Sequence, residues 1–348
     1  LIDDTSYAVP KYHFNYKAAC CFASRYYLFI QDWDNAIKYA TEALTSNPTS
    51  LLRDYDAIAA IPNGTSRHQA YVQSSSSANF LVQAATSSAG MVFGWYTTAG
   101  RYAHGKLQGT YETVQPKYGG PWGNSVYFKA GHAVLASSGK YILPRIWYTF
   151  QYTDPVAGTG YSKAVSVLFC MEEALLNRAE AYVMKMQEDP SALDSALADM
   201  NMYASNLFSS GFTPMTEESI KKWATETYPN YSELYVGKTS ETSPQTLNPK
   251  KKLFAPPYNA LEKGGTQESM LQALLFMRRY QFLHEGMRWF DTRRFGITVY
   301  RYTLDEDDET VLQITDQISD EDGTPDPRRA LQLPSDVIAA GLTPNPRN

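Results

Sequence analysis

The chain has 348 residues, 43% hydrophobic and 19% charged, which is enough to bury a large core and excludes collagen-like, disordered and disulfide-scaffold classes. Its net charge of −5 offers no overall positive field to a nucleic-acid backbone, so nucleic acid is excluded as an expected partner. No stretch approaches the roughly 18 apolar residues that cross a bilayer as a helix. The unusual component is tyrosine, with 26 residues, whose flat apolar ring and polar edge suit a recognition surface. Cys20, Cys21 and Cys170 give neither a disulfide framework nor a metal-binding C-x-x-C spacing. The chain opens at Leu1 close to a helix that reads as internal to an array, so its start is expected to be processed or truncated.

Residues 13–46 read as a helical hairpin. Phe14, Ala18, Phe22, Tyr26, Tyr27 and Ile30 recur mostly at three- and four-residue spacings, and Ala36, Ile37, Ala40, Ala43 and Leu44 repeat the pattern after Asp32, a candidate N-cap. Small residues on the facing sides suggest a tetratricopeptide-type unit. Residues 61–160 are rich in Gly, Ser, Thr, Tyr and Trp, with short alternating runs at 69–73 and 148–152, and predict loops with a few short strands and small helices. Helical period returns at 163–208, where Val167, Leu168, Met171, Ala174, Leu175 and Ala179 lead a second hairpin broken by Asp189-Pro190. Residues 213–262 lose the period again, and one long helix is predicted over 266–294. The fold class expected is therefore mainly α, with helical hairpins decorated by long irregular loops, forming one domain over 1–348.

Catalytic templates fail one by one. His284-Glu285 begins a zinc-protease pattern, but Arg288 stands where its second His belongs. Gly158-Thr159-Gly160 is followed by Lys163 in place of the third Gly of a dinucleotide fingerprint. Gly123-Asn124-Ser125 has Tyr127 where a nucleophile elbow requires Gly, and Gly139-Lys140 has Val134 in place of the first Gly of a phosphate loop. Aligning Gly323 with the turn glycine of a calcium loop puts Ile318 first and Arg329 last, where oxygen ligands are required. No enzyme, metal or cofactor is expected. The distinctive stretch is 277–296, in which Glu285, Arg288, Asp291 and Arg294 follow one another at i+3 beside Trp289 and Phe290. This spacing predicts a self-neutralising structural ladder that pins a helix end to the core.

The run from Arg278 to Gly296 resembles the R-x-x-E-F-x-x-E-G-x-R-x-x-D-x-x-R-x-G stretch of the SusD/RagB family of Bacteroidetes outer-membrane nutrient-binding lipoproteins. The stretch 23–37 is similar to that family's A-R-x-Y-L-x-x-G-D-Y-D-x-A-I hairpin. Residues 173–182 with 196–201 are similar to its E-x-x-L-x-R-A-E-A-Y and A-L-x-D-L-N pair, and the tail from Leu333-Pro334 to Asn345-Pro346 resembles its ending. Gln281 and Gln31 replace an acidic residue and a loop Gly of the pattern. The resemblance implies a tetratricopeptide-containing scaffold without catalysis. It implies a surface-exposed lipoprotein at the outer membrane, whose anchor this chain does not carry, and a lid over a TonB-dependent transporter of the SusC type. Ligands in the family are mostly oligosaccharides, with peptides in the RagB branch.

Three functional readings follow. Sugar rings stack apolar C–H faces on aromatics, so Trp95, Tyr96, Tyr102, Tyr118, Trp122, Trp147 and Tyr148 are the candidate ligand residues of an oligosaccharide binder, with Trp122 the first choice of platform. A peptide groove would instead use Asn15, Arg25, Asn177 and Arg178 of the hairpins. A purely structural assembly subunit would make its partner contact through 213–262. Glu285, Arg288, Trp289, Asp291 and Arg294 are expected to keep the fold in each case.

Overall fold

Two polar side chains open the first two helices. Asn15 Oδ1 accepts the Ala18 N–H at 3.0 Å and Asp32 Oδ1 the Asn35 N–H at 3.1 Å, satisfying donors that a helix start leaves orphaned. They cap α1 (Tyr16–Phe29) and α2 (Trp33–Leu44), the expected hairpin, in a computed structural model that describes residues 2–93, 104–116, 118–124, 126, 129, 134–135, 141–142, 146–208, 211–237 and 246–347. The large apolar stripe of α1 does not face the core as its spacing suggested. Phe22, Tyr26 and Ile30 are half exposed, whereas Ala18, Cys21 and Ser24 are fully buried. Close helix packing selects the small side chains for the interface, as it does with the buried Ala36, Ala40 and Ala43 of α2, and leaves the large ones on the far side.

After α3 (Tyr55–Ala60), the loop-rich stretch carries α4 (Gly64–Val72), α5 (Ala89–Phe93) and α6 (Lys106–Tyr111), with strands β1 (Asn79–Thr86), β2 (Val134–Leu135), β3 (Tyr141–Ile142) and β4 (Thr149–Asp154). The alternating run at 69–73 is the end of α4, not a strand. β5 (Thr159–Cys170) is the centre of an antiparallel sheet in the order β1-β5-β4, with Val82 opposite Val167 and Leu81 opposite Phe169. The helix expected from 163 therefore begins only at Met171, where α7 (Met171–Lys185) follows β5 without a loop. Alternation of Val165, Val167 and Phe169 carries the strand, and Leu168 supplied the false helical spacing. Asp189 Oδ1 accepts the Ser191 N–H at 3.0 Å, and α8 (Ala192–Leu207) starts two residues after Pro190.

The segment 213–262 covers the core rather than standing away from it. After α9 (Glu217–Lys222), Trp223, Tyr228, Lys250, Lys251 and Tyr258 are all buried. The predicted helix 266–294 is two helices, α10 (Thr266–Gln281) and α11 (Met287–Phe295). The chain turns between them with left-handed backbone at His284 (φ 61°) and Gly286 (φ 81°), a conformation that glycine adopts without steric cost. The hairpin β6 (Val299–Leu304) with β7 (Val311–Ile318) and the short α12 (Ser335–Ala339) complete the mainly α fold.

α10 is the axis of the molecule: Met270, Leu271, Ala273, Leu274, Leu275, Phe276 and Met277 are all essentially inaccessible. The core around it joins side chains of α1, α7, α8, α9 and α11. A seam of buried ion pairs ties the same elements together. Glu172 and Glu173 of α7 meet Arg53 at 2.8 Å and Arg25 at 2.5 Å, Glu180 meets Arg294, and Asp291 meets Arg278 at 3.0 Å. Gln281, which replaces an acidic residue of the family pattern, is buried and lies 3.2 Å from the Tyr203 hydroxyl through its Oε1.

Candidate functional site

Trp95, Tyr96 and Tyr102 lie outside the described residues. The other four aromatic candidates do not form one platform. Trp122, the first choice, is completely buried, with its ring stacked on Phe208 (centroids 4.2 Å apart) and Phe276 (5.1 Å). Both faces of the indole are thus taken by core rings, and Trp122 serves packing rather than a ligand. Tyr118 is about half exposed at the outer end of the same aromatic column, 5.9 Å from Tyr228, which leads through Trp223 to Phe276. Trp147 and Tyr148 sit elsewhere, beside the three-stranded sheet, and both are half-buried.

Trp147 lines a cavity of about 370 Å³. Its walls come from β5 (Ala164 to Cys170), from Arg25 of α1 and Tyr71 of α4, and from the turn and helix start that hold Phe282, His284, Glu285, Met287 and Phe290. Two glycines bring Trp147 in. A Cβ on Gly64 would lie 2.6 Å from the indole ring, and one on Gly90 would lie 2.2 Å from the Trp147 carbonyl oxygen. Only glycine permits these approaches. In the same cavity, Arg25 forks onto Glu173 (2.5 and 2.7 Å) and lies 4.6 Å above the Phe169 ring. The cavity thus combines aromatic faces with a fixed ion pair, and its size is at the lower end of the ~300–1,000 Å³ usual for ligand pockets.

The predicted ladder is broken by the turn before α11. Glu285 precedes the helix and lines the Trp147 cavity. Asp291 and Arg294 are structural as expected: Asp291 accepts Arg278 Nε at 3.0 and 3.2 Å, and Arg294 reaches Glu180 and, at 3.5 Å, Asp291. Trp289 is half-buried. Arg288 departs from the expectation. It joins no ion pair among the described residues, and its Nη1 is shut off from solvent without a hydrogen-bond partner.

Arg288 lines a second cavity, of about 300 Å³, that sequence reasoning missed. Here Glu112 Oε1 accepts from both Lys251 Nζ and Arg279 Nη1. Burial pushes the Glu112 carboxyl up, but Arg279 and Lys251 outweigh it and hold the group well below the usual carboxylate range. Burial pulls Lys251 down to about 7 against the attraction of Glu112, with Arg279 adding to the fall. Arg288 is lowered to about 10 by burial and then by Arg279.

The polar residues that a peptide groove would present are engaged within the fold. Asn15 caps α1, Arg25 holds Glu173, and Arg178 forks onto Asp199 at 2.8 Å through both nitrogens. Asn177 bridges Ser24 (3.0 Å) and Arg278 (2.8 Å).

No protein-family model matches the chain, and no curated protein matches it in sequence. Solved structures do. Over 95% of its length the chain aligns with a protein from Bacteroides vulgatus described as sugar binding, at 17% identity and a TM-score of 0.51. A SusD-like carbohydrate binding protein from the same species aligns over 88% of this chain and 52% of its own, at 13% identity and a TM-score of 0.44. A SusD-like protein from Bacteroides fragilis aligns over 99% of this chain and 67% of its own, at 14% identity and 0.48. The chain shares the fold of the first of these proteins. It spans 59% of the length of the first of these proteins. No helix among the described residues is long and apolar enough to cross a membrane.

Proposed function

We propose that the protein is a non-catalytic binder of oligosaccharide at the bacterial outer membrane, which delivers its ligand to a TonB-dependent transporter of the SusC type. The observation that carries this reading is the Trp147 cavity. An indole held in place by Gly64 and Gly90 faces a pocket whose other walls alternate apolar rings with Arg25, Glu173, Ser166 and Glu285. A pyranose presents the matching surface, with C–H faces for the rings and hydroxyls for the charged and polar groups. The shared fold and the order of the sequence motifs support the same reading, as does the engagement of Asn15, Arg25, Asn177 and Arg178 within the fold rather than in a peptide groove.

Calorimetric titration with a panel of neutral oligosaccharides tests it. At least one is expected to bind, and Trp147→Ala is expected to weaken it by about tenfold or more, the effect of removing an interfacial aromatic anchor. Binding of peptides with no response to any glycan would overturn the reading. Delivery is tested by co-purification with a co-expressed SusC-type barrel.

A further inference from the structure

The second cavity has a charge imbalance that the fold does not resolve. Lys251, Arg279 and Arg288 share the single carboxylate of Glu112, whereas the other acid near Arg288, Asp291, is already held by Arg278 and Arg294. Lys252 and Glu233, at the mouth, pair with each other at 2.6 Å, and Glu321 is exposed at the rim. The interior therefore carries one uncompensated positive charge, and a second when Lys251 is protonated, below about pH 7. Burying such charges is costly unless an anion accompanies them. The remaining walls suit a hydroxylated ligand: Gln108, Ser232, Thr292, Tyr300 and Tyr302 line the same space.

We propose that this cavity binds an acidic saccharide unit, whose carboxylate or sulfate is held by Arg288 and Lys251 with Arg279 behind them, and whose ring lies against Tyr300 and Tyr302. The planar fork of a guanidinium matches the paired oxygens of either group. Arg288 is suited to this role because it alone of the three cations has no partner within the fold among the described residues. Burial first, and then the nearness of Arg279, lowers both Lys251 and Arg288, as expected of cations enclosed together. The saccharide part of this inference rests on the carbohydrate reading above; the anion part rests on the cavity alone.

Calorimetry on the full chain with glucuronic acid, glucose and inorganic sulfate provides the test. Glucuronic acid is expected to bind about tenfold or more tighter than glucose, the usual discrimination of a charge-assisted hydrogen bond. Arg288→Met and Lys251→Gln should each remove that preference, and Arg288→Lys should restore part of it. Trp147→Ala should leave it intact while weakening neutral-sugar binding, which separates the two sites: absence of neutral-oligosaccharide binding in the wild type defeats the carbohydrate reading of the Trp147 cavity without touching this one. Equal binding of sulfate and glucuronic acid would show an anion site that does not read the sugar, and would overturn the saccharide assignment. If wild-type protein does not distinguish glucuronic acid from glucose, or if Arg288→Met folds and binds as wild type does, the proposal fails.

Discussion

The ion-pair seam and the Glu112 cavity are built from the same kinds of residue, and α11 contributes to both within one turn. In the seam each acid of α7 has its own arginine: Glu172 with Arg53, Glu173 with Arg25, Glu180 with Arg294. Asp291 on α11 completes it with Arg278. In the cavity one carboxylate is paired with both Lys251 and Arg279, and Arg288 makes no ion pair of its own among the described residues. A charged motif therefore does not divide into structural and binding residues by its spacing. What separates them is whether the fold itself supplies each counter-charge.

That contrast can be broken most directly at Asp291. Asp291→Ala should destabilise by about 3–5 kcal/mol in urea denaturation, because it leaves Arg278 without its carboxylate and Arg294 with only Glu180. A loss below about 1 kcal/mol would make the seam no more structural than the cavity. The aromatics repeat the distinction. Trp122→Ala should also cost about 3–5 kcal/mol through the void it leaves between Phe208 and Phe276, with sugar affinity per folded molecule unchanged.

A pH series sharpens the comparison. Lys251 titrates near 7 in the folded protein and near its ordinary 10.5 when unfolded, so between those values the unfolded chain holds the extra proton. Stability from this group therefore rises with pH across that window, by up to about 1.4 kcal/mol per unit, and is lowest below 7. Melting curves at pH 7 to 9 should show the rise in wild type and not in Lys251→Met. The smallest effect is expected at Arg288. Arg288→Met removes a cation that no acid pairs among the described residues, and should leave stability within about 1 kcal/mol of wild type. A loss as large as that of Asp291→Ala would return Arg288 to the structural ladder.

Local signals made the two hairpins legible in the sequence: period, small residues and a capping Asp32 all act within a few positions. The same period was misleading where a second requirement prevailed. In α1 close approach selected Ala18, Cys21 and Ser24 over the larger stripe, and in β5 the ladder with β1 took residues that helical spacing also fits. The break before α11 had one available signal, Gly286. The burial of Trp122 had none, since the rings that cover it come from the end of α8 and from α10. The Glu112 cluster was out of reach for the same reason: its two ion pairs join residues 139 and 167 positions apart.

The direct passage from β5 into α7 has a mechanical consequence. Leu168 and Phe169 form a wall of the Trp147 cavity, and within four residues the same backbone carries Glu172 and Glu173 into the seam. With no loop between strand and helix to absorb a displacement, pressure on that wall is transmitted as strain on the first turn of α7. A ligand seated against β5 should therefore slow amide exchange at 171–175 as much as in the strand itself. The cavity would then report its occupancy to the far side of the helical hairpin through one continuous lever.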